Sequence, residues 1–237
     1  MDTRQMASAV DNSLYHETEV KPAMKISELK FLILADLYRY RNNTRYHSLL
    51  KEYIGGVGFK YLVWFRINQF LITRSRYCVP LLLLSKYILR RLSYKFGIDI
   101  SLLAQIGPGF KIEHFGTIFI NGQVKIGNRC SVLQGVTIGA YKGAPSIGDF
   151  SFIGPGAKLI GAFTIGKNVI IGANSVITKN VPDDAVVVGV PGKVISYKGN
   201  LRPDKDKIVV EIITLYKSLC PKELWPHYRL ISPTEDQ

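Results

Sequence analysis

A period of six residues governs the middle of this chain. From Ile106 to Pro182 the sequence divides into rows that open with Ile, Leu or Val, among them IGPGFK, IGNRCS, IGDFSF, IGPGAK, IGKNVI and IGANSV. A fixed short period predicts a solenoid, and six-residue rows predict a parallel β-helix. The aliphatic residue that opens each row is expected to point inward and to stack on its equivalents in neighbouring turns.

The six-residue register is interrupted twice. It slips by two residues between Ile118 and Ile126, which predicts a small bulge near residues 119–125. It slips by three residues before Ile147, which predicts that Gly139–Ser146 forms a loop ejected from the solenoid. Residues in these two interruptions are not constrained by the packing of the repeat, so they are candidates for functional side chains.

Composition divides the rest of the chain. Residues 1–24 are polar and predict a flexible tail, whereas apolar residues at helical spacing predict a helical N-terminal domain over 25–98, with Ser27 as an N-cap. The β-helix is expected over 99–196. The tail at 197–237 contains IVVEIITLYKSL, which predicts one helix.

Positive charge is concentrated in the predicted helical domain. Between Lys21 and Gly97, fifteen Lys and Arg residues against three acidic residues give a net charge of +12, out of +13 for the whole chain. Such a segment predicts an anionic partner, and we expect a glycan or peripheral contact with an anionic membrane. Positive charge is the one feature that would point to nucleic acid, so we expect no nucleic-acid partner.

The three cysteines are odd in number and show no CxxC spacing, which argues against a disulfide framework and a zinc site. The N-terminus is polar and lacks the apolar run of a signal peptide. We therefore expect a cytoplasmic protein without a bound metal.

One histidine, His114, lies inside the repeat, whereas the other three lie outside it. Imidazole has an unperturbed pKa near neutrality, so it can take a proton from a hydroxyl group and return it to a leaving group. On a framework that is mostly apolar, this residue is the principal candidate for a general base.

The residues IGPGAK, IGANSVITKNVP and VVVGVPGKVI resemble the hexapeptide-repeat acyltransferases. The segment HFGTIFINGQVKIGNRCSVLQGVTIGA is similar to the serine acetyltransferase branch of that family. The resemblance implies a left-handed parallel β-helix, acetyl-CoA as the donor, and a homotrimer with active sites between subunits. It also implies that His114 is the catalytic base and that Asp99, fifteen residues earlier, orients it.

The resemblance implies further site residues. Glu113 corresponds to an acidic residue that helps to position the acceptor, and the backbone near Gly139 and Ala140 corresponds to the part that binds the cofactor and the oxyanion. The remaining positions that match coenzyme A contacts of related sugar acetyltransferases are Pro155, Ala173, Thr178, Lys179 and Lys193.

The chain departs from serine acetyltransferases in the ejected loop. Those enzymes carry an Arg and a His that bind serine, whereas this sequence has Lys142, Gly143 and Ala144 in that stretch. The segments Asp36–Tyr40 (DLYRY) and Gly58–Tyr61 (GFKY) resemble elements of capsular O-acetyltransferases. These departures favour a sugar hydroxyl of a bacterial capsule or other surface polysaccharide, or its precursor, as the acceptor.

Two alternatives stay open at this point. The chain could be a serine O-acetyltransferase of cysteine biosynthesis that binds serine through other residues. It could also be a non-catalytic β-helix that serves as a scaffold.

Overall fold

The computed structural model describes residues 23–74, 78–200 and 213–228. The predicted flexible tail at 1–24 lies almost entirely outside the described residues. Within the described ranges, no helix is both long and apolar enough to cross a bilayer. The described part of the chain starts with four helices and continues as a solenoid.

The helices are α1 (Ile26–Arg41), α2 (Tyr46–Gly55), α3 (Val57–Ile72) and α4 (Val79–Phe96). The predicted N-cap is wrong: Ser27 lies inside α1, and Lys25 precedes the helix without a side-chain capping bond. After α4 the chain turns at Gly97, whose φ of 63° lies in the left-handed region that glycine adopts without a Cβ clash.

Fifteen short strands follow. They are β1 (Ile98–Ile100), β2 (Gln105–Ile106), β3 (Lys111–Ile112), β4 (Ile118–Ile120), β5 (Lys125–Ile126), β6 (Ser131–Val132), β7 (Thr137–Gly139), β8 (Ser146–Ile147), β9 (Phe152–Ile153), β10 (Lys158–Ile160), β11 (Thr164–Ile165), β12 (Ile170–Ile171), β13 (Val176–Ile177), β14 (Val186–Val188) and β15 (Lys193–Ser196).

These strands form the three faces of a prism. Sheet 1 has the order β1-β4-β7-β10-β13, sheet 2 has β2-β5-β8-β11, and sheet 3 has β3-β6-β9-β12-β14-β15. All pairs are parallel except β14 with β15. The interior holds aliphatic residues that are almost fully buried, including Ile98, Ile118, Ile138, Leu159 and Ile177. The predicted parallel β-helix is therefore confirmed.

The first register slip lies elsewhere than expected. Paired strands of the first two turns are 20 residues apart, as for Ile112 and Val132, against 18 for Ile153 and Ile171. The bulge predicted at residues 119–125 is wrong, because the two additional residues lie before β4. The second slip is confirmed as a loop between β7 and β8.

Hydrogen bonds between turns identify the two additional residues. The backbone N–H of Glu113 donates to a carbonyl of the next turn, and the N–H of Leu133 does the same one turn later. The carbonyl of Gly116 accepts from an N–H of the next turn, and the carbonyl of Gln134 does the same one turn later. Glu113 thus corresponds to Leu133 and Gly116 to Gln134, which are adjacent. The insertion is therefore the pair His114–Phe115, on the edge between sheets 3 and 1.

A buried ion pair joins the helices to the first turn of the solenoid. Arg66 Nε lies 3.0 Å from Asp36 Oδ2, and both side chains are 1% exposed. Arg66 also donates to the carbonyl oxygens of Ile106 (2.7 Å) and Gly107 (2.8 Å), and Phe110 N donates to Asp36 Oδ1 (2.9 Å). Charges this deeply buried are stabilised only by such complete pairing.

Two tyrosines extend this junction. Tyr40 Oη donates to Ile112 O (3.0 Å) and accepts from Ile112 N (2.9 Å), and Tyr61 Oη accepts from Ile100 N (3.2 Å). Burial raises the pKa of Tyr40 well above its usual range, so the phenol stays protonated. The helices thereby cap the end of the solenoid at its first turn, and solenoids require such capping.

The C-terminal segment packs on α1. Residues 213–219 are helical, within the predicted tail helix, and a 3₁₀ turn spans Lys222–Leu224. The rings of Tyr216 and Tyr228 lie 5.6 and 5.4 Å from that of Phe31. The division into separately folding domains stays a prediction.

Candidate functional site

His114 protrudes from the solenoid because it belongs to the two-residue insertion. Its side chain is exposed, and it forms no hydrogen bond with any described residue. The next residue, Phe115, packs its ring against Phe96 at 5.6 Å, at the end of α4. Gly116 (φ 117°) and Thr117 (φ 51°) then turn the chain into β4. The backbone of the insertion is thus anchored by the Phe115 contact with α4 and by the turn at Gly116–Thr117, while the imidazole itself is exposed.

Asp99 lies on the outward face of β1, opposite Phe119 in register, and its side chain is exposed. The strand is tied to the His114 corner, because Ile118 N donates to Gly97 O (2.8 Å). Within the described residues no hydrogen bond joins Asp99 to His114. The structure places the two groups at the same end of the solenoid, and the orienting role of Asp99 stays a prediction.

Glu113 faces away from Asp99. Its carboxylate forms an ion pair with Lys111 Nζ at 2.7 Å, and that ammonium group lies over the ring of Tyr40. Glu113 is therefore turned towards α1 and the outer face of sheet 3. Its predicted contact with the acceptor stays a prediction.

The predicted cofactor residues lie along two different edges. Pro155 and Ala173 correspond to Gly116 in later turns, because Gly156 N bonds to Gln134 O and Asn174 N bonds to Pro155 O. They share the edge of His114, and Pro155 is half-buried whereas Ala173 is exposed. Since strands in a sheet are about 4.8 Å apart, these residues extend about 10–15 Å from the His114 corner.

The second edge lies between sheets 1 and 2. Gly139 ends β7 and is paired with Ile160, and Ala140 is exposed at the start of the loop. Thr178 and Lys179 follow β13 on the same edge, in exposed positions. The exposed Lys193 lies apart from both edges at the start of β15, opposite Val188.

The loop between β7 and β8 carries one exposed cation. Lys142 has a φ of 53°, and its ammonium group lies 5.6 Å from the centre of the Tyr141 ring. Gly143 has a φ of 120°, and a Cβ at that position would lie 2.7 Å from Ala162 Cβ. A larger residue at Gly143 would displace the loop from the neighbouring turn.

A cleft that the sequence does not predict lies beside Asp99. A space of about 440 Å³ lies between α4 and β1, with Lys86, Arg90 and Tyr94 on its helical wall and Asp99 on its strand wall. The helical residues are spaced by four along α4, which is the only signal the sequence contains. Their proximity to Asp99 depends on how the helix packs on the first turn.

No group of three or more His, Cys, Asp or Glu side chains suited to a metal ion occurs within the described part of the chain. The thiol of Cys130 is buried, and burial raises its pKa to about 12. A protonated, enclosed thiol is a poor nucleophile. Of the Cys130 thiol and the His114 imidazole, only the imidazole is exposed.

Comparison with known proteins assigns the repeat. The bacterial transferase hexapeptide (six repeats) family matches residues 144–179. A serine acetyltransferase of Synechococcus elongatus is 36% identical over 152 residues, which are 62% of this chain and 60% of that protein. The chain therefore spans about three-fifths of the length of that curated relative.

Solved structures agree with this assignment. A serine acetyltransferase of Neisseria gonorrhoeae in complex with serine is 33% identical with a TM-score of 0.58, covering 70% of this chain and 69% of that one. A serine acetyltransferase in complex with CoA is 30% identical with a TM-score of 0.58, covering 70% of this chain and 68% of the other.

These relatives contradict the predicted surface-polysaccharide acceptor, and the resemblance to capsular enzymes is wrong. The two segments that suggested it are structural instead: Asp36 and Tyr40 bind the first turn, and Gly58 lies directly against Ile112. They join the helices to the solenoid. The similarity in sequence and in three dimensions shows that this chain belongs to the serine acetyltransferase family of hexapeptide-repeat transferases.

Proposed function

We propose that this protein transfers an acetyl group from acetyl-CoA to the hydroxyl of serine, as in cysteine biosynthesis. The observation that carries this proposal is the exposed imidazole of His114, inserted at a solenoid corner in a member of the serine acetyltransferase family. An exposed, unbonded base is available to a substrate, whereas a structural histidine would be buried and hydrogen-bonded.

The chemistry needs one base and no covalent enzyme intermediate. His114 takes the proton of the serine hydroxyl while that oxygen attacks the thioester carbonyl of acetyl-CoA. The tetrahedral intermediate collapses with cleavage of the carbon–sulfur bond, and the imidazolium returns the proton to the departing thiolate. The products are O-acetylserine and CoA, and general-base catalysis of this kind contributes about 10²–10⁴-fold.

Asp99 is the proposed positioning residue for His114. A carboxylate that accepts a hydrogen bond from one imidazole nitrogen fixes the tautomer and stabilises the imidazolium. Both side chains are exposed at the same end of the solenoid, and the proposed role requires them to come within hydrogen-bonding distance. A solvated pair of this kind tightens when the substrate is bound.

We also propose a homotrimer in which acetyl-CoA lies between subunits. Two edges carry the proposed contacts in one chain, namely Pro155 and Ala173 on one and Gly139, Ala140, Thr178 and Lys179 on the other. A cofactor placed between two prisms contacts one edge of each, and Lys193 and Lys179 supply point charges for its phosphates. Light scattering should give three times the mass of the chain, and a monomer would contradict the assembly.

The acceptor is tested by following CoA release from acetyl-CoA with a thiol reagent. We expect rapid release with L-serine, a product with the mass of O-acetylserine, and no release with glycine, which lacks the hydroxyl. Transfer to other hydroxyl compounds with none to serine would contradict the proposal.

A further proposal concerns the outer face of α4. Leu81, Leu83, Leu84 and Tyr87 are 54–62% exposed, and α4 contains no acidic residue. Exposed apolar residues on a basic helix suit an anionic membrane surface. Vesicles containing phosphatidylglycerol should bind the protein, and the Leu83→Gln/Leu84→Gln variant should not. Equal binding of the two proteins, or none, would contradict it.

A further inference from the structure

The ejected loop does not present the arginine and histidine expected of a serine-binding loop, since Lys142, Gly143 and Ala144 stand there. Gly143 has no side chain, and Ala144 packs against the core. A zwitterionic acceptor nevertheless needs a partner for its carboxylate. The one cation of that loop is Lys142, whose ammonium group lies over the ring of Tyr141, so the alternative is a cation elsewhere near His114.

The cleft between α4 and β1 contains suitable groups. Lys86 and Arg90 are exposed on its helical wall, and neither forms an ion pair with a described residue. Arg90 Nε donates to Tyr94 Oη at 2.9 Å, which orients the guanidinium group. Its two terminal nitrogens stay available, and a planar guanidinium binds a carboxylate through two parallel hydrogen bonds.

The charges of the cleft match an amino acid. Two cations, Lys86 and Arg90, face one anion, Asp99, across a space of about 440 Å³. A zwitterion presents a carboxylate to the first wall and an ammonium group to the second, where one oxygen of Asp99 can accept from the ammonium group while the other accepts from His114. An uncharged hydroxyl compound would leave both walls uncompensated, which disfavours its binding.

The cleft also begins at the corner that carries the base. Gly97 lines the cleft, and a Cβ on this residue would lie 2.9 Å from Thr117 N. Thr117 is only three residues after His114, and Phe115 packs on the last residue of α4. Gly97 therefore connects the cleft to the corner of the proposed base, and His114 itself lies outside the cleft lining.

We propose that Arg90 binds the carboxylate of the amino-acid acceptor, with Lys86 adding electrostatic attraction, in place of the loop residues. This inference rests on the proposed function. It assigns recognition of the acceptor to α4, so the helical domain both holds the His114 corner and selects the substrate.

The test compares L-serine with L-serinamide, which keeps the hydroxyl and the amine but lacks the carboxylate. For Arg90→Ala we expect kcat/KM for serine to fall by about 10–100-fold, chiefly through KM, because a hydrogen bond to a charged group contributes about 1.5–3 kcal/mol. The value for serinamide should stay unchanged. Arg90→Lys should recover part of the loss, since it restores the charge without the planar fork.

Arg91→Ala is the matched control. Arg91 is the next residue on α4, lies over the Tyr87 ring and does not line the cleft, so its removal should change neither substrate. Equal losses with serine and serinamide in Arg90→Ala would overturn the inference, as would no loss at all. A selective loss of serine in Lys142→Ala instead would return the anchor to the loop.

The same assay separates the two proposals. If the unaltered protein acetylates neither serine nor serinamide, the proposed function fails and the inference fails with it. If it acetylates both with the same kcat/KM, the function stands, and the carboxylate anchor is contradicted.

Discussion

The junction between helices and solenoid and the exposed edge at His114 lie at the same end of the molecule, yet they use polar groups in opposite ways. At the junction, Arg66 and Asp36 are almost completely buried and fully hydrogen-bonded. At the edge, the side chains of His114 and Asp99 are exposed and form no hydrogen bond with a described residue. Polar side chains whose hydrogen bonds are all made within the protein stabilise the fold, whereas exposed side chains without such bonds are available to a substrate.

The stabilising role of the buried ion pair is tested by removing one of its two charges. Arg66→Ala leaves the Asp36 carboxylate buried without its partner, and we expect the free energy of unfolding to fall by about 3–5 kcal/mol. Urea denaturation followed by circular dichroism measures the loss. The double variant Asp36→Leu/Arg66→Met should lose less, because it removes both charges; an equal or larger loss would contradict the assignment.

A second test concerns the close approach of α3 to the solenoid. In Gly58→Ala the new Cβ would lie 2.5 Å from Ile112 O, so the helix must move away, and we expect a loss of about 1–3 kcal/mol. Gly55→Ala is the control, because nothing lies within 4 Å of its Cβ and alanine favours a helix. Similar stability of the two variants would show that α3 does not contact Ile112.

The smallest expected effect concerns Phe96, which connects the helices to the edge at His114. Phe96→Ala removes the ring that supports Phe115, so the insertion should become more mobile and kcat should fall by about tenfold, as a small misplacement of the base allows. Phe96→Leu, which keeps an apolar contact, should recover part of the rate. An unchanged kcat in Phe96→Ala would show that α4 does not position the corner.

The period of six was sufficient to predict the solenoid, because inward positions must be aliphatic in every turn. It was not sufficient to locate the first insertion. Ile118 and Ile120 are both buried, so counting from inward residues could not decide which of them continued the column. Only the hydrogen bonds between turns show that His114 and Phe115 are the additional pair.

The junction and the cleft could not be predicted. Arg66 contacts Asp36 and Ile106, which lie 30 and 40 residues away, and no local pattern connects them. The DLYRY and GFKY segments favour a sugar acceptor through their resemblance to elements of capsular O-acetyltransferases, and that prediction is wrong. Their partners are backbone groups of the first turn, which sequence does not reveal.

The most direct test of this account measures O-acetylserine formation by His114→Ala together with its thermal unfolding. We expect kcat to fall by about 10²–10⁴-fold while the unfolding temperature is unchanged, because the imidazole is exposed and forms no hydrogen bond with a described residue. Full activity in a correctly folded His114→Ala protein would contradict the account.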